Sequence, residues 1–217
     1  AEILYYCKKF KEADDLCEKA IIASEENERN IELTRSLLLM ARILIAMYTG
    51  DEEEGETILN YLKEAREYAV EHKRWDIEIE TFLQEVQLYK NTSKEIKIPD
   101  LLETAEQKAK SHNLPTYEGK ISIQKGLIAH NNNDYDRAKD HFQSAIKQLE
   151  KGGHVDLLAE AYYNSACTAC LLHLPEETIE HLRHAIKLNH KFKDIAKYDE
   201  DFKSIRDEQT FLDVVED

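Results

Sequence analysis

The chain has 217 residues, and its 44 acidic side chains outnumber the 29 basic ones to give a formal net charge of −15. Such a surface repels phosphates, and no basic stripe offsets it, so the sequence argues against nucleic-acid binding. Only 6 glycines and 3 prolines occur, which is too few for the many turns of a sheet-rich fold and predicts long helices.

Compartment and membrane contact follow from the same composition. No run of eighteen apolar residues occurs, so we expect no membrane span. The first residues lack the basic and apolar regions of a signal peptide. In a chain of this length the four cysteines do not indicate a disulfide framework, which favours a reducing, cytoplasmic setting. Because residue 1 is not methionine, the chain is a candidate fragment of a longer protein.

Helix pairs recur along the chain with a period of about forty residues. After a truncated unit over 1–20, first helices are predicted over roughly 31–49, 75–91, 116–131 and 155–172. The second helix of each unit carries three residues at spacing i, i+4, i+7, which share one helix face. In chain order these triads are Ala13, Cys17, Ala20; Ile58, Leu62, Ala65; Ile98, Leu102, Ala105; Ala138, Phe142, Ala145; and Thr178, Leu182, Ala185.

Helix boundaries are marked by prolines and glycines. Pro99, Pro115 and Pro175 fall at predicted helix beginnings, where the missing N–H costs nothing. Gly50 and Gly152 fall near predicted helix ends.

The repeat resembles the tetratricopeptide repeat family. Small, small, bulky and small residues stand at the positions that family uses, best at Gly126, Ala138, Phe142 and Ala145. The resemblance implies an all-α fold, a right-handed α-α superhelix (solenoid) of about 4.5 helix pairs. The family's common repeat is about 34 residues, so the longer units here resemble the long-period variants of bacterial and archaeal regulators.

The tail after the repeats has a separate character. Residues 198–212 resemble an Asp-x-Asp-Phe-x-x-Ile-Arg segment that closes such arrays, and a terminal repeat needs its apolar face covered. Phe202, Ile205, Phe211 and Leu212 are the expected cover. We therefore predict a repeat array over 1–190 and a capping segment over 191–217.

Motifs for catalysis or cofactor binding do not occur in the sequence: no Glu-x-x-His pair, no His-Glu-x-x-His and no glycine-rich phosphate loop. Cys167, Cys170 and His173 have a spacing that allows zinc ligation, but no fourth ligand is evident, and small residues at a helix contact explain the cysteines more simply. The sequence predicts no catalytic residue, no metal and no cofactor.

The candidate binding face is the inner side of the first helices. The forty-residue step places Gln84, Gln124 and Asn164 at equivalent sites, and likewise Asn91 and Asn131. An amide both donates and accepts, so it suits a peptide backbone, although amides also simply tolerate a partly exposed helix surface. The resemblance implies that Asn164 grips a bound peptide. The predicted wall around the amides comprises Leu83, Gln87, Lys90, Ile123, Leu127, His130, Tyr163, Cys167 and Cys170.

Two functions remain open at this point. The first is a non-enzymatic interaction scaffold that binds a peptide or helix of a partner protein in a concave groove. The second is the sensor or regulatory repeat region of a larger signalling or transcription-regulator protein. The Lys and Asn clamp by which some relatives bind chaperone tails is absent, since its positions hold Ile123, Leu127, Tyr163 and Cys167. Self-association is a further possibility.

Overall fold

The structure is a computed structural model that describes residues 1–90, 92 and 95–216. Within that part of the chain all regular structure is helical, and no β-strand occurs. The α-helices are α1 (Glu2–Tyr6), α2 (Phe10–Glu26), α3 (Asn30–Met47), α4 (Glu52–Glu71), α5 (Trp75–Lys90), α6 (Ile98–Ser111), α7 (Pro115–Asn131), α8 (Tyr135–Gly152), α9 (Val155–Leu171), α10 (Pro175–Leu188), α11 (Lys191–Ala196) and α12 (Gln209–Glu216).

The chain divides into two compact units, Ala1–His112 and Asn113–Asp217. In the first unit α2 to α5 each pack against the next helix, and α3 also contacts α5. In the second unit α7 to α10 do the same, and α7 contacts α9. Contacts between successive first helices, α3 with α5 and α7 with α9, are compatible with stacked helix pairs.

The predicted helices are confirmed to within two residues at each described end. Pro115 and Pro175 begin α7 and α10, and Pro99 is the second residue of α6. The recurring triads face the core: all their residues are buried except Ala20, which is half-buried. Burial of these small and bulky residues in alternation lets neighbouring helices approach closely.

Gly126 shows why one triad needs a glycine partner. A Cβ at this position would lie 2.6 Å from Cε1 of Phe142. The fully buried ring of Phe142 therefore occupies the space that any side chain on α7 would take.

Six turns between helices share one backbone conformation. Each contains a non-glycine residue with φ between 53° and 59°, two residues before the next helix begins. In five of them the following N–H bonds back to a carbonyl five residues earlier, as in Arg74 to Ala69 (2.7 Å). This is the Schellman bond, which satisfies a carbonyl at the helix end and offsets the cost of the left-handed residue. The six residues are Lys8, Glu28, Lys73, Asn113, Asn133 and His173.

The tail packs onto the last helix pair. Phe202 and Phe211 are fully buried and Ile205 is buried, in a core shared with α9 and α10, whereas Leu212 is half-buried. The predicted cover of the terminal apolar face is thus confirmed for three of its four residues. None of the helices in the described ranges is long and apolar enough to cross a bilayer.

Candidate functional site

One face of α9 meets the chain's own tail. Tyr163, Cys167 and Cys170 stand at spacing i, i+4, i+7, so they share a helix face, and all three are buried. Residues 199–205 lie on that face, in the 3-10 turn Glu200–Phe202 and the turn after it. These positions, predicted to line an open groove, are covered by the tail and present almost no surface to a partner.

Tyr163 is the centre of this contact. Its hydroxyl donates to Oδ2 of Asp199 at 2.6 Å. Its ring stacks on Phe192 with centroids 4.6 Å apart and meets Phe202 edge-on at 5.9 Å. Burial, together with the neighbouring carboxylate of Asp199, raises the pKa of Tyr163 far above its ordinary value. The phenol therefore stays protonated and acts as a hydrogen-bond donor.

The two cysteines of α9 are held in the same contact. Sγ of Cys167 lies 3.9 Å from Oδ2 of Asp199, and Sγ of Cys170 lies 3.5 Å from the hydroxyl of Ser204. Burial, and then the negative charge of Asp199 and Asp201, raises the pKa of Cys167 well above its usual value. A thiol of this kind is a poor nucleophile, because the thiolate is the reactive form.

His130 of α7 reaches the same segment from the other side. Its Nε2 lies 3.2 Å from Oδ2 of Asp201, and its Nδ1 lies 3.1 Å from Oγ1 of Thr168. The hydrogen bond to His130 is the largest cause that lowers the pKa of Asp201 below its ordinary range. Asp201 is therefore an anion at neutral pH.

Asp199 organises the turn itself. Its Oδ1 accepts the backbone N–H of Asp201 at 3.1 Å, and its own carbonyl accepts Nη2 of Arg206 at 2.7 Å. The Asp-x-Asp pair is thus an N-cap that fixes the turn and aims both carboxylates at α9 and α7. Phe202, which follows directly, anchors the turn in the core.

The other predicted residues of α7 and α9 differ in accessibility. Gln124, Leu127 and Asn164 are half-buried, Asn131 is exposed, and Ile123 is buried. The side-chain amide of Asn164 makes no hydrogen bond within the described part of the chain, although its carbonyl accepts the hydroxyl of Thr168 at 2.9 Å.

In the first unit, Gln84 donates to Oε1 of Glu80 on its own helix at 3.0 Å. Gln87 and Lys90 are half-buried, and burial lowers the pKa of Lys90. Asn91 lies outside the described residues. Leu83 is buried.

Sequence reasoning missed Asp199, Asp201 and Thr168. The two aspartates were visible only as part of a capping motif, because nothing local in the tail indicates which helix it crosses. The sequence of α9 did indicate that another segment contacts it, because a buried tyrosine such as Tyr163 needs a hydrogen-bond partner for its hydroxyl.

Comparisons with known proteins give a fold but no family. No family model matches the chain, and no curated protein matches it significantly. Among solved structures it is similar to BtubC (BKLC) from P. vanneervenii, with a TM-score of 0.72 and 12% sequence identity over 95% of this chain and 88% of that one. Identity this low shows a shared fold alone, here an all-helical one.

Proposed function

We propose that the chain is a non-enzymatic protein-interaction module of the tetratricopeptide type. In this proposal it keeps the right-handed superhelix of about 4.5 pairs expected from the sequence, and it binds an extended or helical segment of a partner along its first helices. The observation that carries the proposal is the placement of Gln124 on α7 and Asn164 on α9. Both amides are half-buried on neighbouring helices of one unit.

The chemistry of this row suits a peptide. Each amide offers a donor and an acceptor, so a pair of them can match the N–H and C=O groups of an extended backbone. Leu127, half-buried on α7, adds an apolar contact. We call Gln124, Leu127 and Asn164 the amide row.

The amide row lies beside the tail contact but is distinct from it. Tyr163, Cys167 and Cys170 are covered by residues 199–205, so the partner segment binds on the side of α9 that carries Asn164. The protonated thiol of Cys167 gives no support to nucleophilic catalysis, which favours binding over an enzymatic role.

Charge selects among partner segments. With a net charge of −15, the chain attracts cationic segments over a distance of about one Debye length, roughly 8–10 Å. The proposed partner segment therefore carries lysine or arginine flanking an apolar residue.

The test uses a random peptide library displayed on phage, selected against the full chain, followed by titration of a selected peptide by fluorescence polarisation. Asn164→Ala and Gln124→Ala should each weaken binding about tenfold, the effect of losing one or two hydrogen bonds. The melting midpoint should move by less than about 2 °C, because neither side chain is in the core.

Gln143→Ala is the matched control, since this exposed amide lies on the second helix α8. Its peptide affinity should equal that of the wild type. Equal affinity of the double variant Gln124→Ala, Asn164→Ala would refute the amide row as the binding site. Failure to select any peptide would refute the peptide-binding proposal itself.

A further inference from the structure

Four side chains with metal-binding atoms converge where the tail crosses α9 and α7. Sγ of Cys167 and one carboxylate oxygen each of Asp199 and Asp201 all lie within 4.8 Å of one another. Nε2 of His130 lies 3.2 Å from the carboxylate of Asp201. Cys167 is 4% exposed and the aspartates are half-buried. The cluster therefore brings sulfur, nitrogen and oxygen donors together from three separate segments.

A hydroxyl contact holds the ring of His130 in place. The hydroxyl of Thr168 donates to the carbonyl of Asn164 at 2.9 Å. The same hydroxyl lies 3.1 Å from Nδ1 of His130. Since Thr168 engages Nδ1, Nε2 is the ring nitrogen that faces Asp201.

Nε2 of His130 lies 3.2 Å from Oδ2 of Asp201. A proton on Nε2 gives the hydrogen bond described above, and a bound cation would take the place of that proton. Since Asp201 and Asp199 add two carboxylates to the same site, a divalent cation neutralises more of this charge than a single proton does.

We propose that Cys167, Asp199, Asp201 and His130 form a binding site for a divalent transition-metal ion, with zinc favoured by the donor set. Thiolate and imidazole are ligands that zinc prefers, whereas calcium and magnesium take oxygen ligands. The site is separate from the amide row and does not rest on peptide binding.

Two distances in the cluster are close to those of a tetrahedral site, whereas His130, outside the group whose ligand atoms all lie within 4.8 Å, has to turn toward Cys167 and Asp199. Bonds of about 2.0–2.3 Å to zinc place neighbouring ligand atoms roughly 3.3–3.7 Å apart. The cluster has 3.2 Å between Nε2 of His130 and Oδ2 of Asp201, and 3.9 Å between Sγ of Cys167 and Oδ2 of Asp199. Only side-chain adjustments of a few tenths of an ångström are needed at these two edges.

The atoms around the cluster orient its ligands. Thr168 fixes the His130 ring through Nδ1, and Tyr163 and the backbone N–H of Asp201 hold the Asp199 carboxylate. Such outer partners set the tautomer and direction of metal ligands. The guanidinium of Arg206, bonded to the carbonyl of Asp199, offsets the charge of −1 left by one zinc, one thiolate and two carboxylates.

Metal binding here is a ligand exchange with a simple balance. The Cys167 thiol loses its proton to solvent as the Zn–S bond forms, and neutral His130 and the two carboxylates bind through existing lone pairs. No oxidant or reductant takes part.

The experiment titrates Zn²⁺ into the full chain, freed of metal with a chelator, against a fluorescent zinc indicator. Co²⁺ is the spectroscopic probe in a parallel titration, since a cobalt–thiolate bond gives a near-ultraviolet charge-transfer band. We expect binding of a single ion per chain, the cobalt band, and a rise of the melting midpoint with zinc.

Cys167→Ser should remove the cobalt band and weaken zinc binding at least tenfold, and His130→Gln should weaken zinc binding in the same range. Cys170→Ser is the matched control, because Cys170 lies one turn away on the same face and contacts Ser204 instead. It should bind zinc as the wild type does.

Zinc affinity retained in Cys167→Ser, or a wild-type chain without the cobalt band, would overturn the proposal. If Cys167→Ser fails to fold by circular dichroism, His130→Gln and the wild-type cobalt spectrum decide, and a full-strength site in His130→Gln would count against this ligand set.

Discussion

At the C-terminal end, α9 and α10 are covered by a tail that buries Phe202 and Phe211 completely. At the N-terminal end, the short helix α1 contributes no buried residue, and Ile3 and Tyr6 remain 79% and 65% exposed. Both ends belong to the same type of helix pair, but only one has a dense aromatic cover. The two ends therefore differ in the number of bulky side chains that they insert into the core.

The polar contacts differ in the same sense. The tail is tied to α9 and α7 by Tyr163, Cys170 and His130. At the other end, the ring centroids of Tyr5 and Phe10 are 5.8 Å apart, and the guanidinium of Arg42 lies 4.9 Å from the centroid of the Tyr5 ring. Such contacts at a partly exposed site contribute less to the free energy of unfolding than buried aromatic packing does.

The largest expected difference comes from truncating one apolar side chain at each end. Phe202→Ala leaves a cavity in a closed core and should lower the free energy of unfolding by about 3–5 kcal/mol. Ile3→Ala removes a mostly exposed side chain and should change it by less than about 0.5 kcal/mol. Urea denaturation followed by circular dichroism measures both. Similar losses for the two variants would mean that the ends are equally well covered.

A glycine in each unit gives a smaller, opposite pair of effects. Gly126→Ala places a Cβ 2.6 Å from the ring of Phe142 and should destabilise by about 1–3 kcal/mol. Gly55→Ala places one 3.4 Å from the hydroxyl of Tyr48 at the far end of a side chain, so the gain in helix propensity, about 0.5–1 kcal/mol, should prevail.

Thermal unfolding of both glycine variants measures whether each substitution stabilises or destabilises the chain. Adding Phe142→Leu to Gly126→Ala should recover part of the loss, because it removes the atoms that the Cβ meets. Without such recovery, close packing against Phe142 is not the reason for the glycine.

The smallest expected effect is a pH dependence confined to the C-terminal unit. Burial is the main cause that lowers the pKa of His181 in α10, and the positive charges of His184 and Lys139 lower it further. The negative charges of Glu177 and Glu180 act in the opposite direction. The unfolded chain, whose histidine pKa is about 6.5, therefore takes up the proton first. This contribution to stability is present above about pH 6.5 and is lost as the pH falls through the lower folded pKa.

His181→Gln removes the titration while keeping a group that can bond the hydroxyl of Ser165, which lies 2.7 Å from Nδ1. The free energy of unfolding, compared between pH 7 and pH 5.5, should fall less in this variant than in the wild type, by under about 1 kcal/mol. An identical fall in both chains would assign the acid sensitivity to other groups.

Local patterns in the sequence predicted most of the fold. The periodicity located the helices and the buried triads, because which face of a helix is apolar is a local property. Ala20 is the exception, half-buried in the sparsely covered first unit. Phe202, Ile205 and Phe211 were also correctly assigned to the core, because large apolar residues in a short polar segment are usually buried.

The candidate site was harder to predict. Spacing placed Tyr163, Cys167 and Cys170 together on one face, but it did not reveal what covers that face. The path of the tail is set by non-local packing of Phe202 and Phe192 against α9, and spacing within α9 carries no information about it. The convergence of Asp199 and Asp201 on Cys167 depends on that path, which is why the spacing of Cys167, Cys170 and His173 alone offered no fourth ligand.

The left-handed turns between helices bear on how such a chain is recognised at all. Lysine, glutamate, asparagine and histidine all occupy the same backbone position in these turns, so the conformation recurs along this chain without a fixed residue type. A profile built from residue identities loses this part of the repeat as sequences diverge. Structural alignment retains it, so proteins of this architecture are better recognised by the backbone conformation of their turns than by residue identity.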